Sequence, residues 1–157
     1  MSRTYIEAYS YNYNRLVDAV RDTTEEQQHW KPSPDAWSVA EVIAHLVDHS
    51  IVVSFRIRDI LAGTTVQLPA FNQDAWVSGQ RVNEAKLADL LSFYEASLAY
   101  NAQLLDRLTE ADWDKSGINF KGDTVTIADI VRTFTSHVDT HLKQIERTKS
   151  ALAAAAE

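Results

Sequence analysis

Two histidines one helical turn apart, His137 and His141, are the residues whose spacing most directly suggests chemistry. They lie in a stretch without Gly or Pro whose apolar residues recur every three or four positions, which predicts an amphipathic helix. Four residues advance about 6 Å along a helix and turn by about 40°, so two imidazoles spaced in this way can reach one metal ion. A third ligand must come from another helix, and His45 is the best candidate.

A second pair with the same spacing, His45 and His49, leaves the interpretation open. Such pairs also arise by chance in a chain with five histidines, so the motif alone produces false positives. The rings could equally be solvated or hydrogen-bonded at a helix edge, because His45 shares its stripe with Glu41, Asp48 and Arg56. Spacing alone therefore supports a metal site and a solvated face about equally.

The composition limits the classes of partner. The net charge of −7 and the scattered Lys and Arg residues disfavour nucleic acid, whose binding needs clustered positive charge. No apolar run approaches the roughly 20 residues that cross a bilayer, and the N-terminus lacks the apolar core of a signal peptide. Because there are no cysteines, a metal would have nitrogen and oxygen ligands. We expect a cytoplasmic protein that acts on a small molecule, with no membrane partner.

Helical periodicity predicts an all-α fold, a four-helix bundle in one domain over residues 1–157. Ser38 with Glu41 is typical of a capping box, Asn83 is a plausible cap for the third helix, and Thr126 with Asp129 is typical of the cap of the fourth. No convincing strand is expected, and the Ala-rich tail is expected to fray. The helices are predicted near residues 4–21, 38–61, 83–108 and 126–149, with long irregular connections, 64–82 and 110–125, after the second and third.

Two motifs together resemble the DinB/YfiT-like superfamily of metal-dependent enzymes. Residues 30–46 (WKPSPDAWSVAEVIAHL) combine a tryptophan, a Pro-Ser-Pro loop, a Trp-Ser helix start and a His-Leu pair. Residues 137–145 (HVDTHLKQI) add the His-x-x-x-His motif, followed by Gln-Ile. The resemblance extends from the first helix to about residue 149. It implies a four-helix bundle with a metal ion held between the helices near one end.

The resemblance also implies the ligands and the ion. The metal ligands would be His45, His137 and His141, whereas His49 matches none of the family's ligand positions. Three imidazoles suit one divalent transition metal ion, zinc or nickel, with iron as an alternative. Three-ligand sites keep positions open for water or substrate, as catalytic sites do.

Three functions remain open for such a site. Members that this chain resembles include enzymes that transfer a low-molecular-weight thiol, such as bacillithiol or mycothiol, to a small electrophile. A hydrolase that uses a metal-bound water is the first alternative, and a non-catalytic metal-binding or small-molecule-binding bundle is the second. The general base is not identifiable: Glu41 or Asp48 could orient an imidazole, and Gln144 could bond a ligand histidine or the substrate.

We predict a homodimer that forms through apolar residues of the 64–82 connection, such as Phe71 or Trp76. Large apolar side chains in a long connection must be covered by the chain's own core, by a ligand or by another subunit. Sedimentation at tens of micromolar, roughly the range in which weak dimers persist, should give the mass of a dimer. A monomeric mass would contradict the prediction.

Overall fold

The computed structural model describes residues 2–157 and confirms an all-α four-helix bundle. Four long helices build it: α1 (Ser2–Val20), α3 (Val39–Leu61), α5 (Leu87–Asp106) and α7 (Ile127–Ala155). Three shorter helices lie in the connections, α2 (Glu25–His29), α4 (Gln73–Gly79) and α6 (Glu110–Trp113), with a 3-10 turn at Val82–Glu84. An antiparallel hairpin, β1 (Ser116–Ile118) and β2 (Thr124–Thr126), precedes α7.

The order of the long helices around the bundle is not the simple up-down one. Helix α1 packs mainly against α5 and α7, and α3 packs mainly against the same two helices. The first two long helices therefore occupy opposite corners of the bundle. The second and fourth long helices, α3 and α7, are neighbours, and their contact positions the histidines.

Helix α3 is the central element of the core. Every residue from Val39 to Asp48 is buried, although Glu41, His45 and Asp48 are polar. The hydroxyl of Ser38 accepts a hydrogen bond from the Glu41 N–H and so caps the start of the helix. A helix that is buried all round is a core helix. Even so, no helix within residues 2–157 is long and apolar enough to cross a membrane.

The Ser38 cap is present, but the Glu41 half of its capping box and the expected Asn83 cap are not, because a tertiary contact replaces them. The Asn83 side chain accepts a hydrogen bond from the Ser38 hydroxyl and donates one to the Glu41 carboxylate. Glu41 therefore does not complete a capping box with Ser38. Asn83 lies in the 3-10 turn, and α5 begins only at Leu87 without a side-chain cap.

The connections and the C-terminus are more regular than expected. The expectation of no strand is wrong, because β1 and β2 pair within the 110–126 region, with Gly122 in the turn at a φ of +89°. Strands of three residues are too short to show a clear alternation of apolar and polar residues. The expectation that the Ala-rich tail frays is also wrong, since α7 continues to Ala155, consistent with the high helix propensity of alanine.

Replacing Gly117 by Ala should destabilise the protein. A Cβ atom at this position would lie 2.9 Å from Cγ1 of the buried Ile60, so the hairpin or the helix must shift. We expect the free energy of unfolding, measured in urea, to fall by about 1–3 kcal/mol. Gly79→Ala is the matched control, because no atom lies within 4 Å of its Cβ position. Equal stability of the two variants would contradict this packing.

Candidate metal centre

The antiparallel packing of α3 and α7 brings three histidines together. Nε2 of His137 lies 3.1 Å from Nε2 of His45 and 3.1 Å from Nε2 of His141. One ring nitrogen from each of the three lies within 4.8 Å of the other two. His45 is fully buried, whereas the other two rings are partly buried. We call these three side chains the histidine cluster; it lies at the edge of the core.

The histidine cluster fits a divalent transition metal ion. Nitrogens that lie about 2.0–2.1 Å from one ion, with bonds roughly 90–110° apart, are separated by roughly 2.8–3.4 Å. The two separations of 3.1 Å agree with this range. Burial and then the neighbouring rings lower the pKa of His45 to about 3 and that of His137 to about 4. Since burial also lowers the pKa of His141, the cluster is neutral at pH 7, the form that binds metal.

Gln144 sets the orientation of one ring. Nδ1 of His141 lies 2.8 Å from Oε1 of Gln144, which can only accept a hydrogen bond. The proton is therefore on Nδ1, and the Nε2 lone pair faces the cluster. Of the two roles that the sequence left open for Gln144, the structure shows the bond to the histidine. Nδ1 of His45 and Nδ1 of His137 are buried without a partner among residues 2–157.

Aromatic side chains cover the histidine cluster. The Trp37 ring lies 5.2 Å from the ring of His45 and 6.4 Å from that of His141, between centroids. Phe71 stacks 6.1 Å from His45 and contacts Trp76. Trp37 is a site residue that was not predicted from the sequence, although its place directly before the cap of α3 was a usable signal. Phe71 is partly buried here, whereas Trp76 remains 37% exposed.

The two remaining histidines lie outside the cluster. His49 stacks on Phe134, and its ring centroid is 4.1 Å from that of His137. Burial and then the neighbouring rings lower the pKa of His49 to about 2, so this ring is also neutral. His29 lies elsewhere, with Nε2 3.2 Å from the carbonyl oxygen of Ala85.

The two carboxylates on the stripe of His45 do not contact the cluster by hydrogen bonds. Glu41 is bonded by Asn83 and lies 3.6 Å from Nζ of Lys31. Asp48 accepts a hydrogen bond of 2.9 Å from Gln80, and burial raises its pKa. Within residues 2–157 no carboxylate hydrogen-bonds a cluster ring, so neither Glu41 nor Asp48 orients an imidazole.

Two cavities lie at different positions along α7, one lined by His141 of the cluster and one lined by the neighbouring His49. The larger, the His141 cavity, has a volume of about 510 Å³ and lies toward the C-terminal end of α7. The smaller, the His49 cavity, has a volume of about 280 Å³ and lies toward the N-terminal end. Lining side chains include Trp37, Gln73, Asp74, His141, Gln144 and Arg147 in the first, and His49, Arg56, Leu68, Phe120, Lys121 and Phe134 in the second.

Comparison with known proteins identifies the family. The family model of the DinB superfamily matches residues 8–145. The chain belongs to the DinB superfamily. A relative in Oceanobacillus iheyensis, named "putative metal-dependent hydrolase", is 24% identical to this DinB-superfamily chain over 146 residues, or 90% of this chain and 79% of the relative.

Solved structures show the same fold at low sequence identity. Bacillus subtilis YfiT, described as "a probable metal-dependent hydrolase with an unusual four-helix bundle topology", gives a TM-score of 0.88 at 18% identity, covering 97% of this chain and 87% of YfiT. A mycothiol-dependent maleylpyruvate isomerase gives 0.74 at 11% identity, covering 92% of this chain but only 60% of the isomerase. The bundle and its helix order are therefore those of DinB-superfamily structures.

Gln144→Leu should weaken zinc binding, because it removes the acceptor that orients His141. Removing the hydrogen-bond partner of a metal-binding histidine typically lowers metal affinity about 10- to 100-fold. We expect a loss of that size in a competition titration with a chelator. Gln144→Glu keeps an acceptor at the same position and should retain most of the affinity. An unchanged zinc affinity for Gln144→Leu would show that His141 needs no such support.

Proposed function

We propose that this chain binds one divalent transition metal ion through His45, His137 and His141 and transfers a low-molecular-weight thiol to a small electrophile. The family, the metal-dependent relatives and the convergence of three neutral imidazoles support the ion. Zinc or nickel suits three nitrogen ligands best. The mycothiol dependence of one structural neighbour supports a thiol as co-substrate.

The chain's own residues prepare the site for this chemistry. When bound, the ion supplies a Lewis acid that favours a thiolate at neutral pH. The rings of the histidine cluster are neutral at pH 7, and Gln144 keeps His141 in the tautomer that binds metal. Trp37 and Phe71 cover His45 and keep water from that side of the cluster.

The presence of two cavities beside the histidine cluster is the observation that carries the proposal. A transferase needs room for a thiol and for an electrophile. The first cavity is lined by His141 of the cluster, and the second is lined by His49, whose ring centroid lies 4.1 Å from that of His137. The larger, polar His141 cavity suits a hydrophilic thiol, and the smaller His49 cavity suits the electrophile. The connections 64–82 and 110–125 supply lining residues. Gln73 and Asp74 line the first cavity, and Leu68 and Phe120 line the second.

Hydrolysis is the second candidate, favoured by the names of the Oceanobacillus relative and of YfiT. It requires a group that takes a proton from water, a role that histidine fills most often and that Glu or Asp also fills. Glu41 and Asp48 do not fill this role readily, because both are engaged with other side chains. A metal-binding bundle without turnover is the remaining alternative.

The setting of the reaction is part of the proposal. A reduced thiol requires a reducing compartment, which agrees with a cytoplasmic protein. We also propose that residues 1–157 form one domain and that the chain is a homodimer. The dimer is supported by Trp76, which contacts Phe71 beside the site and leaves apolar surface exposed that a second subunit can cover.

The direct test is thiol consumption by the metal-loaded protein. Bacillithiol or mycothiol is mixed with 1-chloro-2,4-dinitrobenzene; the sulfur forms a C–S bond, chloride leaves, and the thioether is followed by its absorbance. We expect the zinc- or nickel-loaded protein to accelerate the reaction, His137→Ala to abolish the acceleration, and His29→Ala to leave it unchanged.

The alternatives give different results in the same assay. A rate equal to that without protein, for both thiols, would contradict thiol transfer. Hydrolysis of 4-nitrophenyl acetate that depends on His137, together with no thiol consumption, would favour the hydrolase. Stoichiometric metal with neither activity would favour the non-catalytic bundle.

A further inference from the structure

Arg56 on α3 carries a positive charge that no acidic residue neutralises. Its Nη2 donates a hydrogen bond of 3.0 Å to the carbonyl oxygen of Pro69, and its Nε is buried without a partner. Within residues 2–157 no carboxylate oxygen lies within 4.0 Å of the guanidinium nitrogens. Burial lowers the pKa of Arg56, with no nearby acidic group to offset it. Partly buried charges are normally paired, so this one lacks its counter-charge.

Arg56 lines the His49 cavity, where the carboxylates are already engaged. Asp129 accepts hydrogen bonds from the Thr126 N–H and from Arg132. Asp123 lies on the exposed hairpin turn and accepts a hydrogen bond of 3.5 Å from the Asn119 side chain. Arg56 is therefore the partly buried cation of this cavity of about 280 Å³, and among the residues that the structure describes it has no carboxylate within ion-pair distance.

The other walls of the His49 cavity are mainly apolar. Val53, Leu68, Ile130 and Phe134 line it, and His49 stacks on Phe134. A ligand that fits this surface has a negatively charged end and a flat or branched apolar body. Because the His49 ring lies 4.1 Å from that of His137, a ligand anchored at Arg56 extends toward the histidine cluster.

We propose that the His49 cavity binds a small carboxylic acid with an apolar body, whose carboxylate pairs with Arg56. This inference rests on the proposed function, since it assigns the electrophile to the class of small carboxylic acids. The guanidinium N–H groups that no residue uses are the donors, and such a fork matches the two oxygens of a carboxylate. Lys121 at the exposed rim adds attraction for an anion without being needed for the pairing.

Benzoate is a suitable probe, and benzamide is its neutral counterpart of the same shape. Calorimetric titration of the zinc-loaded full chain should show binding of benzoate and much weaker binding of benzamide. Arg56→Met should weaken benzoate binding by about 10- to 100-fold, the usual effect of removing a charged hydrogen-bond partner. Arg107→Met, which removes an exposed positive charge that lines neither cavity, should leave it unchanged.

A measurement on the unaltered protein guards against misfolding of the variant. In ¹⁵N-labelled protein, benzoate should shift the Arg56 Nε resonance and amide resonances of residues 119–125 and 130–134. Shifts confined to other regions would overturn the proposal. Benzoate binding that is equal in Arg56→Met, or equal to that of benzamide, would also overturn it.

Removal of the metal separates this inference from the proposed function. Benzoate binding that survives chelation and depends on Arg56 supports the subsite, even when the thiol assay shows no turnover. Benzoate binding that disappears with the metal and persists in Arg56→Met would show that the ion holds the carboxylate, which overturns the subsite while leaving thiol transfer intact.

Discussion

The packing of α3 against α7 is the contact on which the rest of the site depends, because neither helix carries three convergent nitrogens alone. Fully buried side chains of both helices fix this packing, including Ile43 and Leu46 on α3 and Phe134, Val138 and Ile145 on α7. The same packing places three imidazoles, one fully buried and two partly buried, among apolar neighbours. Burying polar groups is unfavourable unless they find partners, and a shared cation is the partner that three inward-facing lone pairs suit.

Burial at this contact also determines the chemistry. Desolvation keeps the rings neutral well below the usual pKa of histidine, so the donor atoms are available without the loss of a proton. Three ligands from one side would leave the opposite side of an ion open. The His141 cavity is lined by one of the three rings, and the His49 cavity is lined by the neighbouring His49. The proposed metal site would therefore both link α3 to α7 and act as a reaction centre.

The sequence was sufficient for the parts that depend on local periodicity. The i, i+4 spacing of His137 and His141, and the apolar stripes of the four long helices, are properties of single helices, and the structure confirms the helices. The stripe of Glu41, His45 and Asp48 was ambiguous, because a solvated face has the same pattern. The structure resolves it, since α4 and the 3-10 turn cover that face through Gln80 and Asn83.

The features that were missed depend on contacts between distant residues. Asn83 was expected to cap α5, but its bonds to Ser38 and Glu41 join positions more than 40 residues apart. The hairpin strands are too short to give a pattern, and the isolation of Arg56 is visible only once its neighbours in space are known. Local patterns therefore predicted the helices and suggested the histidines, whereas the walls of the site required the fold.

The metal content of histidine variants tests the central claim most directly. The untagged protein and five alanine variants are purified in the same way, loaded with zinc, desalted and analysed by mass spectrometry for metal per chain. The account predicts one ion per chain in the unaltered protein and in His29→Ala and His49→Ala, and its loss in His45→Ala, His137→Ala and His141→Ala. If His49→Ala loses the ion while His141→Ala keeps it, the site is built on the His45/His49 pair, and the ligand set proposed here is wrong.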